Sequence, residues 1–210
     1  MTDYQKVRFA YDPRRKVLWR ALYDGYFRRL IPEDGCLLEL GAGYCDFINI
    51  ARCKRRIAVD VWENVREYAS PEVEVHVASA TDLGGIADQT VDFVFASNLL
   101  EHLGRADVEK LLLELRRVLK PTGSLSLLQP NYKYAYREYF DDYTHVSVFS
   151  DTGLCDLLKA NGYRILECHP RFMPLSMKSQ LPVSYLLVRL YLLSPIKIVG
   201  KQMLVRAVRT

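Results

Sequence analysis

Acidic residues are missing from the end of this chain. Between Cys168 and Thr210 there is no Asp or Glu, while Arg171, Lys178, Arg189, Lys197, Lys201, Arg206 and Arg209 are basic. The net charge of +4 is therefore local: the remainder carries 22 basic against 25 acidic residues, a net −3. A basic field over the whole surface, of the kind that binds nucleic acid, is excluded. The charge points instead to an anionic surface or ligand met by the C-terminal segment. Cysteine is sparse as well. Cys36, Cys45, Cys53, Cys155 and Cys168 are odd in number and lack CxxC or Cys/His metal spacing. No metal site is read from them, and a reduced, cytoplasmic interior is expected. Met1–Lys6 contain no apolar h-region, which predicts no secretory signal. The strongly apolar stretch Leu181–Leu193 is too short to span a bilayer, and Pro195 and Lys197 interrupt its extension.

What is present suits one domain with a full core. The chain has 210 residues, half of them hydrophobic, and a charged fraction of 26% leaves no case for extensive disorder. Asp12-Pro13 signals a helix start, and Val17, Leu18, Ala21, Leu22 and Tyr23 continue at helical spacing towards Leu30. Strands are predicted at about 36–40, 56–60, 73–77 and 91–96, with helices after the first, second and fourth. Residues 106–119 place Val108, Leu111, Leu112, Leu115, Val118 and Leu119 on one helical face. Ser124–Leu128 reads as a buried fifth strand, and Ser150 caps a helix over 151–161 that Asn161-Gly162 closes. Tyr163–Cys168 and Gln202–Val208 read as two late strands. Strand and helix alternate and the chain then ends in strands, which predicts a doubly wound, mainly parallel α/β sheet.

The most informative stretch is Leu37-Leu38-Glu39-Leu40-Gly41-Ala42-Gly43-Tyr44-Cys45-Asp46. An apolar run ends in a Gly-x-Gly turn, and Asp60 closes the next apolar run, Ile57-Ala58-Val59. Gly41 and Gly43 let the backbone approach a ligand where a Cβ would collide. Amides at the following helix start offer donors to a carboxylate or phosphate. Asp60, at the carboxyl end of the second strand, is placed to accept hydrogen bonds from two ribose hydroxyls.

Four motifs in order make the resemblance specific. Leu38–Gly43, Ala58-Val59-Asp60, Val91–Leu103 and Leu115–Gly123 together resemble the class I S-adenosylmethionine-dependent methyltransferases, over about residues 35–168. The resemblance implies a Rossmann-like seven-stranded sheet with an apolar, basic helical insertion before the last strand. It implies that Glu39 and the backbone of Gly41, Ala42 and Gly43 hold the methionine end of S-adenosyl-L-methionine. Asp60 takes the ribose, Val61 or Trp62 meets the adenine face, Ala80 and Thr81 border the adenine edge, and Asn98 lies beneath the sulfonium. Two positions depart from the family pattern: Cys45 stands where a third glycine is common, and Ser79 where an acidic residue is common. A nicotinamide dehydrogenase is the competing reading of a glycine loop and a strand-end carboxylate. The missing third glycine, Glu39 before the loop and the lack of room for a separate catalytic domain weigh against it.

Methyl transfer from a sulfonium needs alignment above all, and a hydroxyl acceptor benefits from a base. Of His76, His102, His145 and His169, the first and last are expected to be structural. His145 is the favoured base, His102 the second choice, and Asp142 is placed to orient the ring of His145. Tyr132, Tyr134, Tyr136, Tyr139 and Tyr143 suit stacking on a sugar ring and equally suit ordinary packing.

The expected organisation is a single methyltransferase domain over 1–210. It comprises a helical cap (1–34), a cofactor core (35–168), an apolar, basic insertion (170–200) and a last strand (201–210). Similar small methyltransferases modify sugars of bacterial surface polysaccharides, so the acceptor is expected to be a sugar or lipid-linked glycan hydroxyl. Residues 175–200 are then read as contacting an anionic membrane face from the cytoplasmic side. The alternatives are a soluble small-molecule O- or N-methyltransferase whose C-terminal helix makes a homodimer, and an inactive cofactor-binding adaptor.

Overall fold

Seven strands join in one sheet of order β3-β2-β1-β4-β5-β7-β6. It is seen in a computed structural model that describes residues 10–173, 183–197 and 200–210. The strands are β1 Cys36–Leu40, β2 Arg55–Asp60, β3 Val73–Val77, β4 Val91–Ser97, β5 Leu119–Pro130, β6 Tyr163–Met173 and β7 Gln202–Arg209. Strands β1 to β5 pair in parallel, whereas β7 runs antiparallel to both β5 and β6. The helices are α1 Arg14–Gly25, α2 Val65–Tyr68, α3 Arg105–Val118, α4 Tyr132–Ala135, α5 Asp151–Ala160 and α6 Tyr185–Leu193.

Period-two alternation sends neighbouring apolar residues of each strand into different cores. Leu38, Leu40, Ile57, Val59 and Val94 meet Leu111, Leu112 and Leu115 of α3 and Leu154 and Leu158 of α5. Leu37, Ala58, Phe93 and Phe95 face the other way, against Leu18 and Leu22 of α1 and Val188 of α6. Both faces are covered, which is why the parallel strands read as unbroken apolar runs. The α3 stripe is buried as its periodicity predicts. The caps also form: the Asp12 carboxylate accepts the Arg14 N–H at 2.9 Å, and Ser150 Oγ accepts the Gly153 N–H at 3.1 Å.

The helix expected after β1 does not form as a regular helix. Residues 43–50 run as turns, with the Asn49 N–H donating to the Cys45 carbonyl at 3.1 Å and the Ala51 N–H to Phe47 at 3.2 Å. Gly43 and Cys45 both sit in the left-handed region, at φ 50° and 56°, so a right-handed helix does not run through them. After β2 the helix is reduced to the single turn of α2. β5 and β6 are longer than predicted: β7 pairs with both as far as Gln202, and Leu119 at the start of β5 pairs with Val91 of β4, with β5 running through the Lys120–Gly123 stretch expected only to end the preceding helix. Of the expected insertion over 170–200, residues 170–173 complete β6, α6 follows, and 174–182 and 198–199 lie outside the described residues.

The helical cap is tied to the sheet by Glu167 on β6. The Tyr26 hydroxyl donates to it at 2.5 Å, His169 Nε2 lies 3.0 Å away, and Arg206 of β7 pairs with its other oxygen. Burial opposes the charge on Glu167, but its bonds to Tyr26 and His169 and the Arg206 cation outweigh it and bring the carboxyl down to about 2. A carboxyl depressed by folding adds stability above its unfolded pKa, and that stability disappears as pH falls through the folded one. The contribution of Glu167 is therefore complete at neutral pH and is lost between about pH 4.5 and about 2. Urea unfolding at pH 7 and pH 3 is expected to show a smaller acid loss in Glu167→Gln than in the natural chain. Equal losses would remove this site from the acid response.

Candidate active site

The sheet order reverses between β1 and β4, so a crevice opens beyond their carboxyl ends. Three segments reach it: the glycine loop after β1, Asp60 at the end of β2, and residues 98–102 after β4. Gly41 has φ 65°, its N–H donates to the Val59 carbonyl at 2.9 Å, and a Cβ there would stand 3.3 Å from Leu99 Cδ1. Gly43 donates its N–H to Asp60 Oδ2 at 2.7 Å, and Trp62 donates its own to Oδ1 at 2.8 Å. Burial raises the Asp60 carboxyl, while the Trp62 and Gly43 amides lower it. Each oxygen keeps a lone pair for a further donor such as a ribose hydroxyl. Ala42 is buried within the loop.

Glu39 makes a contact to the loop itself. It is buried, its Oε2 accepts the Ile48 N–H at 2.9 Å, and desolvation pushes its carboxyl well above the ordinary range. It fastens the far end of the loop, which Arg15 of α1 also grips through Asp46 at 2.7 Å. Beside Asp60, Val61 is exposed and Trp62 stacks on Tyr68 at 5.5 Å, with Tyr44 edge-on to both. Tyr44 and Tyr68 were not among the sequence candidates, since their approach to Trp62 depends on how the β1 loop folds. Ser79 Oγ and Thr81 Oγ1 lie 2.9 Å apart, and Ala80 is buried between them. The hydroxyl pair occupies the place where the family often has a carboxylate.

Asn98 is held in the left-handed region, at φ 50°. Its N–H donates to the Leu128 carbonyl at 2.8 Å, and its Oδ1 accepts Gln202 Nε2 at 2.7 Å. Gln129 Oε1 receives the amides of Leu99 and Leu100, each at 3.3 Å, which fixes the turn leaving β4.

That turn carries Glu101 and His102, and a loop 40 residues later folds back on it. The Val146 and Ser147 amides donate to the Glu101 carbonyl at 2.8 and 3.1 Å, and Ser147 Oγ donates to the Leu103 carbonyl at 2.6 Å. His102 and His145 thereby meet with ring centroids 4.9 Å apart. Asp142 Oδ1 accepts the Thr144 hydroxyl at 2.7 Å, and Thr144 Oγ1 in turn lies 2.9 Å from His102 Nδ1. The Asp142 carboxylate thus reaches His102 through Thr144. Burial and the neighbouring His145 lower the pKa of His102, which keeps its imidazole neutral at pH 7. Glu101, quoted in the motif but given no role there, is the member that sequence reasoning missed. Its carboxylate is 1% exposed, and burial lifts its pKa to about 8 with Asp142 adding to the effect. His76 and His169 pair with Glu74 and Glu167. The surface clefts beside Arg116 and Arg209 and beside Asn49 and Arg56 do not include the glycine loop or the histidine pair.

Comparison with known proteins agrees with this geometry. Residues 38–127 match the family model described as a methyltransferase domain. The chain is 31% identical over 112 residues to dimethylglycine N-methyltransferase of Parasynechococcus marenigrum, a match that covers 48% of this chain and 39% of the relative. It spans about two fifths of the length of the curated relatives it matches. A SAM-dependent methyltransferase of Archaeoglobus fulgidus superposes with a TM-score of 0.72 at 19% identity, covering 98% of this chain and 97% of that one. Another from Aquifex aeolicus gives 0.66 at 21% identity with full coverage of both chains. Residues 38–127 therefore match a methyltransferase domain, and the chain shares the fold of solved S-adenosylmethionine-dependent methyltransferases, the class whose cofactor is S-adenosyl-L-methionine.

The donor set fits that cofactor: two left-handed glycines, a strand-end carboxylate with spare lone pairs, and aromatic rings beside it. Asp60→Asn would turn an amide N–H₂ towards a backbone donor and remove a charged acceptor. A bond to a charged group is worth about 1.5–3 kcal/mol, so S-adenosylhomocysteine is expected to bind roughly 10- to 100-fold more weakly by calorimetry. Unchanged affinity would exclude Asp60 from the ribose contact.

Proposed function

We propose that the protein transfers a methyl group from S-adenosyl-L-methionine to a hydroxyl of a sugar or lipid-linked glycan. The observation that carries this reading is the convergence of His102, His145 and Glu101 at the carboxyl edge of β4, beside Asn98. When bound, the cofactor supplies an electrophilic methyl on a sulfonium. The residues of this chain then have two tasks: to hold the acceptor in line, and to lower the cost of removing its hydroxyl proton. The neutral imidazole of His102 and the neighbouring His145 are suited to the second task, with Thr144 and Asp142 as positioning residues. Exposed Tyr136, Phe140 and Tyr143 on the adjoining loop offer faces for a sugar ring, whereas Tyr139 is buried and packs against His145.

The small-molecule reading rests on a separate observation, the similarity to a dimethylglycine N-methyltransferase. Labelled methyl donor offered to glycosylated lipid extracts, free sugars and glycine-type amines separates the two. Label in a sugar ether supports the first reading, label in an amine replaces it with the second, and none with any acceptor favours the adaptor. On the productive acceptor His145→Ala is expected to reduce kcat by roughly 10²- to 10⁴-fold. Undiminished turnover would clear His145.

The proposed contact with a membrane gains support from α6 rather than from charge. Leu186, Leu187, Leu190, Leu193 and Ile196 are exposed, while Val188 anchors the helix in the core beside α1. Much of the basic charge is spent internally: Arg206 pairs with Glu167, Lys201 with Glu138, and Lys197 caps the α6 carbonyls of Tyr191 and Leu192. Burying a leucine contributes about 1.5–3 kcal/mol, so the exposed set is sufficient to hold the chain at an apolar boundary. Flotation with anionic vesicles is expected to recover the natural chain and to lose Leu186→Glu/Leu190→Glu. Equal recovery of the two would remove the membrane reading and return α6 to the homodimer alternative.

A further inference from the structure

We propose that Glu101, His102 and His145 form a binding site for one divalent first-row transition ion, with zinc, manganese, iron(II) and cobalt as the chemical class. One donor atom from each residue lies within 4.8 Å of the other two. Ligands about 2.0–2.2 Å from a common ion stand roughly 3–3.5 Å apart, so small side-chain rotations close the set. The sequence reading assigned these histidines to proton transfer and assigned no metal.

The second observation is the state of Glu101. Four carboxylates are buried among the described residues. Three have donors: the Ile48 amide for Glu39, Arg15 for Asp46, and Thr144 for Asp142. Glu101 is the exception, since neither of its buried carboxylate oxygens accepts a hydrogen bond from another described residue. A buried polar side chain without a partner is rare, and a cation between this one and two imidazoles supplies the partner, with the carboxyl proton released to solvent on binding. The surroundings of His102 also match those of a ligand. Because Thr144 donates to Asp142, its oxygen accepts from His102 Nδ1–H and places the lone pair of the ring on Nε2. Two imidazoles and one carboxylate suit the borderline transition ions better than magnesium or calcium, and three protein ligands leave positions open for an outside oxygen.

The site stands by itself; its role towards an acceptor rests on the methyl-transfer reading above. In that role the ion binds the acceptor's hydroxyl oxygen and acidifies it, and the proton leaves to solvent. The residue pair then acts through the ion instead of as bare bases, and the acceptor class narrows to molecules with a free hydroxyl that can coordinate, such as a sugar diol.

The test uses the full chain stripped with chelator and titrated with Co²⁺, followed by visible absorption, and with Zn²⁺, followed by calorimetry. One ion per chain with ligand-field bands is expected. Glu101→Gln and His145→Asn are expected to weaken binding at least tenfold, while His76→Ala leaves it unchanged. Circular dichroism checks each fold, and His145→Asn, on a loop, decides the matter if Glu101→Gln does not fold. Absence of stoichiometric Co²⁺ and Zn²⁺ binding, or equal affinity in the folded variants, overturns the site. Calorimetry with S-adenosylhomocysteine on the same stripped sample keeps the two ideas apart. Binding of that product without any metal binding sinks the site alone. Metal binding without it sinks the methyl-transfer role and leaves the site.

Discussion

The carboxylate of Asp60 is the hinge pin of this site. It terminates β2, accepts the amide of Gly43 from the loop after β1, and accepts the amide of Trp62 from its own loop. The parallel register that pairs Leu40 with Val59 delivers Gly43 to that position. One side chain therefore fixes two loops and still offers lone pairs outward. A carboxylate suits this position because it accepts without donating, and every neighbour presented by the backbone is a donor. Its partial burial raises the pKa, and the amides that it binds act in the opposite direction.

The loop itself is built from side-chain anchors where a longer helix was expected. Cys45 occupies a left-handed conformation that costs a non-glycine residue about 1–2 kcal/mol. Its thiol is fully buried, 3.9 Å from the Gly43 carbonyl and 3.8 Å from that of Val65. Glu39 then takes the Ile48 amide, and Arg15 takes Asp46. These contacts substitute for the ladder of hydrogen bonds that a regular helix would have supplied. They also join α1, outside the matched domain segment, to the cofactor crevice, so the helical cap helps to shape the binding loop.

The parts legible in the sequence were those governed by local periodicity or by a short motif. The apolar runs gave strands β1 to β4 and β7 close to their observed bounds, the α3 stripe gave its buried face, and Ser150 gave its cap. Gly41, Gly43 and Asp60 met because the strand-turn-strand spacing already encodes their meeting. The rest required distant segments. Nothing local to Cys45 announces its left-handed backbone, and its buried thiol lies against the distant Val65 carbonyl. Asp142 was read against His145, its neighbour in sequence, and a chain of hydrogen bonds also runs from it through Thr144 to His102 across 40 residues. Glu101 reads as an ordinary polar residue until the 139–147 loop closes over it.

Charge distribution carries the same lesson with the opposite outcome. The acid-free tail suggested a free basic surface, but its cations find acids and carbonyls elsewhere in the fold: Arg206 at Glu167, Lys201 at Glu138, Arg209 at the Arg116 carbonyl. A segment without acidic residues has to take its counter-charges from the remainder, and the net −3 remainder supplies them. Most apolar residues of α6 find no such cover among the described residues. Among the described residues Val188 takes the core-facing position, while Leu186, Leu187, Leu190 and Leu193 stay exposed. Of the two properties that distinguish the C-terminal segment, the fold consumes much of the charge and leaves the hydrophobicity outward. Any surface that this segment meets must therefore be chosen by apolar contact first and by charge second.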